Sequence, residues 1–182
     1  PLLTHSIKID LPKASAQVNL EKPETVTLSL DALGAIYWND RPITEEQLAK
    51  IKPAFGGVQT GGNSSAIVDG AAAVLVGSAA YTKRLGKRPL ARVVASAAVG
   101  VSPEIMGIGP VPAIKTVLER AGLKLDDIGR FEINEAFGAQ VMACVRELGL
   151  DEDKLNVNGG AIAIGHPLGA TGIRLALTLA RE

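Results

Sequence analysis

The chain has 182 residues, 47% of them apolar and 21% charged, and its 19 Lys+Arg balance 19 Asp+Glu. Enough apolar surface is available to offset the entropy of ordering, which excludes a disordered chain. The zero balance excludes a dedicated nucleic-acid binder, which carries a basic excess. One cysteine forms neither an internal disulfide nor a cysteine zinc site, so a reducing compartment is expected: the cytoplasm or an organelle matrix.

In chain order, Thr25-Val-Thr-Leu-Ser-Leu30 alternates and reads as a strand. Thr44-Glu-Glu-Gln47 is a capping-box pattern that starts a short helix towards Leu48 and Ile51, and Pro53 ends it. Gly56-Gly57 and Gly61-Gly62 mark a loop. Ala71-Ala-Ala-Val-Leu-Val76 reads as a buried strand, Ser78 to Leu85 as a helix stopped by Gly86, and Ala91 to Val99 as a second strand. After the Met106-Gly-Ile-Gly-Pro110 turn, Ile114, Val117, Leu118 and Ala121 share one helical face, closed by Gly122. Arg130 to Ile133 is a short strand. From Ala136 a helix places Phe137, Val141, Cys144 or Val145, and Leu148 on one side, with Gly149 as its stop. Ile173 to Ala180 forms a last, nearly uncharged helix. Strands alternating with helices predict an α/β layered sheet.

No basic segment followed by an apolar run opens the chain, so no signal peptide is read. Leu155 to Ile173 contains no Asp, Glu, Lys or Arg, but it holds five glycines, His166 and Pro167. Those residues break a helix and leave backbone groups unpaired, so no membrane span is expected there.

The same stretch is the candidate site. It contains no Gly-Lys-Ser/Thr for a phosphate loop and no Gly-x-Gly-x-x-Gly after a strand. Instead it presents one histidine, held out of helical conformation by Pro167 and flanked by glycines. That arrangement suits a general acid/base or hydrogen-bond donor at a fixed point. Asn134-Glu-Ala-Phe137 lies where a strand meets a helix, a place where α/β sheets put their sites. Asn134 there either caps the helix or uses its amide to hold a water or donate to a developing oxyanion. Cys144, on an apolar helix face, reads as a core residue.

Asn134-Glu-Ala-Phe137, Gly159 to Gly172 with its Gly-His-Pro-Leu-Gly core, Gly62-Asn-Ser-Ser-Ala-Ile-Val-Asp-Gly-Ala-Ala-Ala73 and Met106 to Ala113 together resemble the thiolase family. These are coenzyme-A-dependent acyltransferases that make or cleave 3-oxoacyl thioesters. The resemblance covers about residues 41 to 182. It implies a thiolase-like layered sandwich, of which this chain is the C-terminal half with a buried helix, incomplete at both ends. Residues 1–60 would be part of the loop domain and its lead-in, and 61–182 the C-terminal domain, cut before its last strands.

By the same resemblance, His166 activates a nucleophilic cysteine and, with a water held by Asn134, forms an oxyanion hole. Ser65, Ala136 and Phe137 contact the coenzyme A thioester, and Phe55 is a weaker candidate for that contact. No metal and no cofactor are implied beyond coenzyme A as substrate. Both cysteines the family uses are expected outside this chain, on an N-terminal thiolase half or second subunit and in later strands, since Cys144 matches neither. The complete protein is expected to be a homo-oligomer acting on acyl-CoA and coenzyme A. A truncated, non-catalytic protein that binds coenzyme A thioesters or a partner chain is the second reading.

Overall fold

The structure is a computed structural model, and it describes residues 28–30, 35–38, 41–44, 46–47, 50–53 and 56–182. Three short strands form an antiparallel meander: β1 (Leu28–Leu30), β2 (Ile36–Trp38) and β3 (Arg41–Ile43). The register pairs Leu30 with Ile36 and Trp38 with Arg41. Of the strand expected at Thr25 to Leu30, the last three residues are β1, and the rest lies outside the described residues. The capping box is present, with Thr44 N donating to Gln47 Oε1 at 2.9 Å and Gln47 N to Thr44 Oγ1 at 3.2 Å.

The helices follow the punctuation of the sequence. Ser78 Oγ accepts from Tyr81 N and caps α1 (Ala79–Leu85). α2 (Pro110–Ala121) starts on a proline, whose missing N–H is not needed at that position. α3 (Gly138–Leu148) starts one residue after Phe137. Gly86, Gly122 and Gly149 end these three helices at φ of 62°, 67° and 66°, the left-handed conformation that a side chain resists. A four-residue turn, α4 (Ala161–Ile164), lies within the glycine-rich stretch, and α5 (Leu168–Leu179) begins in it.

The core lies between α2, α3 and the segment before Asn134. Val111, Phe131, Ile133, Val141, Cys144, Val145 and Leu150 are buried together. Cys144 is fully enclosed: its thiol donates to Gly107 O at 3.4 Å and accepts from Gln140 at 3.6 Å. Burial pushes the thiol above its ordinary pKa, against a smaller lowering by Gln140. It is a core residue.

Three expected strands are corrected. Arg130 to Ile133 contributes a single parallel bridge, Phe131 with Leu155, closed by Phe131 N to Lys154 O at 2.8 Å and Asn156 N to Phe131 O at 2.9 Å. Ala71 to Val76 and Ala91 to Val99 form no strand and pair with none among the described residues. Leu75, Val76 and Val93 are about four-fifths exposed. An apolar, β-prone run becomes a strand only when a neighbour takes up its backbone hydrogen bonds, and composition cannot supply that neighbour.

Candidate active site

Three segments far apart in sequence converge. Ser65 N donates to Ala136 O at 3.1 Å and Ser65 Oγ donates to the same oxygen at 3.2 Å, while Ser64 bridges Phe137 in antiparallel fashion. This joins the Asn-Ser-Ser turn to the Asn-Glu-Ala-Phe segment. His166 N donates to Ala66 O at 2.7 Å, so the Gly-His-Pro segment is tied to the same turn. An added Cβ on Gly70 would come within 2.7 Å of the Pro167 ring, which shows how closely the two loops pack.

At the junction, Asn134 Nδ2 lies 3.2 Å from His166 Nε2. The other ring nitrogen, Nδ1, lies 2.7 Å from Thr171 Oγ1. Asn134 Oδ1 is buried with no protein partner, and Asn134 lines a hollow of about 370 Å³ with Glu132, Ile133, Ser96 and Pro110. The amide therefore engages the ring on one side and keeps an acceptor for a small polar guest on the other.

Behind this pair sits a polar clamp. Asn156, at a φ of 47°, accepts from Ile133 N at 2.9 Å through Oδ1 and donates to Ile133 O at 2.8 Å through Nδ2. Its side chain thus extends the Phe131–Leu155 bridge by one more rung. The same Nδ2 donates to Glu135 Oε1 at 2.9 Å, and Ile162 N donates to Glu135 Oε2 at 3.1 Å. Glu135 consequently holds the glycine-rich loop against the segment that carries Asn134. A second tie joins α5 to that segment, where Arg174 Nη1 meets Glu132 Oε2 at 3.4 Å. Burial raises the Glu132 pKa, Arg174 lowers it less, and Glu135 and Glu182 add to the rise.

Five of the six residues singled out from the sequence, His166, Asn134, Ser65, Ala136 and Phe137, belong to this junction. Phe137 is 44% exposed and forms its open side. Phe55 lies outside the described residues. Glu135, Asn156 and Thr171 were not singled out. Thr171 stands four residues after Pro167, the spacing at which a helical hydroxyl reaches back; Glu135 and Asn156 carry no comparable local signal. Among the described residues no cluster of His, Cys, Asp and Glu could hold a metal ion. No described helix is long and apolar enough to cross a membrane.

Comparison with known proteins gives the family. The family model for the thiolase C-terminal domain matches residues 87–182, and that for the thiolase N-terminal domain matches residues 38–80. A 3-ketoacyl-CoA thiolase of Escherichia fergusonii is 54% identical over 142 residues, which are 75% of this chain and 37% of that protein. The crystal structure of human mitochondrial 3-ketoacyl-CoA thiolase in complex with CoA is 43% identical, with a TM-score of 0.69 over 76% of this chain and 36% of that one. The dimeric peroxisomal thiolase of Saccharomyces cerevisiae is 45% identical, with a TM-score of 0.74 over 85% of this chain and 41% of that one. The chain therefore spans well under half the length of the relatives it matches. Its architecture is the corresponding part of a thiolase-like α/β fold, and the chain belongs to the thiolase family.

Proposed function

We propose that the chain supplies the histidine–asparagine half of a thioester acyl-transfer site in a coenzyme-A-dependent acyltransferase. The observation that carries this reading is the 3.2 Å approach of the Asn134 amide to His166 Nε2, made by two segments 32 residues apart. In this reading His166 Nε2 takes the proton of a nucleophilic thiol, and the thiolate attacks the thioester carbonyl carbon. The carbonyl oxygen gains negative charge as the tetrahedral centre forms. The protonated Nε2 then donates to that oxygen together with a water held by Asn134, whose buried Oδ1 is free to fix it. Collapse of the centre expels the thiolate of coenzyme A and leaves the acyl group on the enzyme sulfur.

The nucleophile comes from outside these residues. The chain has one cysteine, and Cys144 is enclosed by Gly107 and Gln140. Ser65, Ala136 and Phe137 flank the histidine from the Asn-Ser-Ser side and are proposed to line the path of the pantetheine arm. The coenzyme is a substrate here, and the acyl groups are proposed to be 3-oxoacyl chains, as the names of the relatives suggest. A dimeric assembly is proposed on the likeness to the yeast enzyme.

Acetoacetyl-CoA and free coenzyme A test the reading directly. The chain alone is expected to give no turnover. Combined with the rest of a thiolase, both the N-terminal half that carries the nucleophile and the later strands that carry the second cysteine, it is expected to release acetyl-CoA. His166→Ala is expected to lower that rate by about 10²–10³ or more. Turnover by the chain alone, or full activity in His166→Ala, overturns the assignment. Tight coenzyme A binding with no turnover in the combined halves would instead favour the non-catalytic reading.

A further inference from the structure

We propose that Thr171 is a positioning residue that fixes the tautomer of His166, keeping the proton on Nδ1 and a lone pair on Nε2. This rests on the reading above in one respect only, that Nε2 is the ring atom facing the chemistry.

A neutral imidazole carries one N–H and one acceptor nitrogen, and the neighbours decide which is which. Thr171 Oγ1 lies 2.7 Å from Nδ1 and 3.1 Å from Pro167 O. A hydroxyl has one hydrogen. Pro167 O is an acceptor only, one helical turn back from Thr171, which is the usual reach of a threonine hydroxyl in a helix. With its hydrogen directed there, Oγ1 turns a lone pair to the ring, and Nδ1 must donate. At the opposite edge the ring faces Asn134 Nδ2, an atom that only donates. Nε2 must then accept. Both neighbours select one tautomer, and the other would set N–H against N–H at Asn134.

The hydroxyl is well placed to enforce this choice. Thr171 is 4% exposed, so bulk water does not compete for Nδ1. Its own backbone N–H and that of Ala170 also donate to Pro167 O, at 2.9 and 2.8 Å. The residue after the histidine and the residue that orients it are therefore one turn of backbone. When Nε2 gains a proton, Nδ1–H keeps the same partner and the ring stays in place, while the Asn134 amide, which only donates, must turn away from Nε2 before the ring donates to an oxyanion.

Nitrogen-15 magic-angle-spinning spectroscopy of the full chain, which tolerates self-association, reads the tautomer. In a His5→Gln background His166 is the sole histidine, because the chain contains two. In the neutral ring, a protonated Nδ1 and an unprotonated Nε2 are expected. Thr171→Val removes the acceptor while keeping the shape, and should lower the ratio of Nδ1–H to Nε2–H forms roughly 5-fold or more. Thr171→Ser should restore it. An Nε2–H ring in the parent chain overturns the proposal, as does an unchanged ratio in a folded Thr171→Val protein. If Thr171→Val fails to fold, the parent tautomer and its retention in Thr171→Ser decide. No thioester enters this measurement. A chain that fails the acyl-transfer test yet shows Nδ1–H would overturn the reaction and leave the role of Thr171 standing.

Discussion

Gly160 and Asn156 show how individual residues build the support for the site. Gly160 has a φ of −143°, which any residue adopts, so its constraint is one of space. A Cβ there would collide with the Glu135 carboxylate, the group that receives Asn156 Nδ2 and Ile162 N. Gly160→Ala is expected to push that carboxylate aside and to cost about 1–3 kcal/mol, as overpacking does. The check is a lowered urea midpoint together with faster amide exchange at Ile162, and exchange at Ile162 unchanged from the parent would contradict the clamp. Asn156 supplies through one side chain what a strand would supply through its backbone, and it does so from a left-handed conformation that asparagine tolerates better than most residues. These residues were not legible in the sequence. A positive φ and a hydrogen bond across 23 positions leave no periodic trace, whereas His166 and Asn134 stand in motifs whose composition is unusual by itself.

At the scale of elements, α5 carries both Thr171 and Arg174, one aimed at the histidine and the other at Glu132. Glu132 is almost wholly enclosed, at 4% side-chain exposure. Because burial raises its pKa in the folded chain, the native state holds this proton more firmly than the unfolded state does. The contribution to stability is thus full below the ordinary glutamate range and is lost as pH rises through the raised folded value. At fixed protein concentration, the urea midpoint of the parent should fall across that window more steeply than that of Glu132→Gln. Equal slopes would show that Glu132 is not the group responsible. Arg174→Met, which leaves the carboxylate enclosed and unpaired, should cost about 3 kcal/mol at neutral pH. Helix ends were the most legible elements. Gly86, Gly122, Gly149 and Ser78 act within a turn of where they stand, so local chemistry suffices to find them. Strands were the least legible, because Ala71 to Val76 has the right residues and no partner to pair with.

Over the whole molecule, apolar surface is distributed unevenly. Val111, Val141, Cys144 and Val145 are enclosed, whereas Ile67, Leu75, Val76, Leu90, Val93 and Val94 are each more than 60% exposed. Surface of that kind is normally covered by another chain or by more of the same one. The chain alone is accordingly expected to pair or aggregate, with a sedimentation profile that shifts with concentration. A monodisperse monomer that melts cooperatively would contradict this. A mixed helix-and-strand class was expected from alternation and is found, but the strands that made up that alternation are not, since sheet pairing is a property of distant segments rather than of any one run.

The convergence of three segments also closes loops of different length. The Asn134–His166 contact closes a loop of 32 residues, and the Ser65–Ala136 contact one of 71. For flexible chains the longer closure costs about 0.7 kcal/mol more in entropy. The histidine and asparagine therefore meet at the lower entropic cost, with the Phe131–Leu155 bridge and the Asn156 rung already shortening the path between them. The Asn-Ser-Ser turn bears the longer closure of the two. Ile67, Leu75 and Val76 remain exposed just beyond that turn, so the closure that completes the junction leaves apolar surface beside it for another chain to cover.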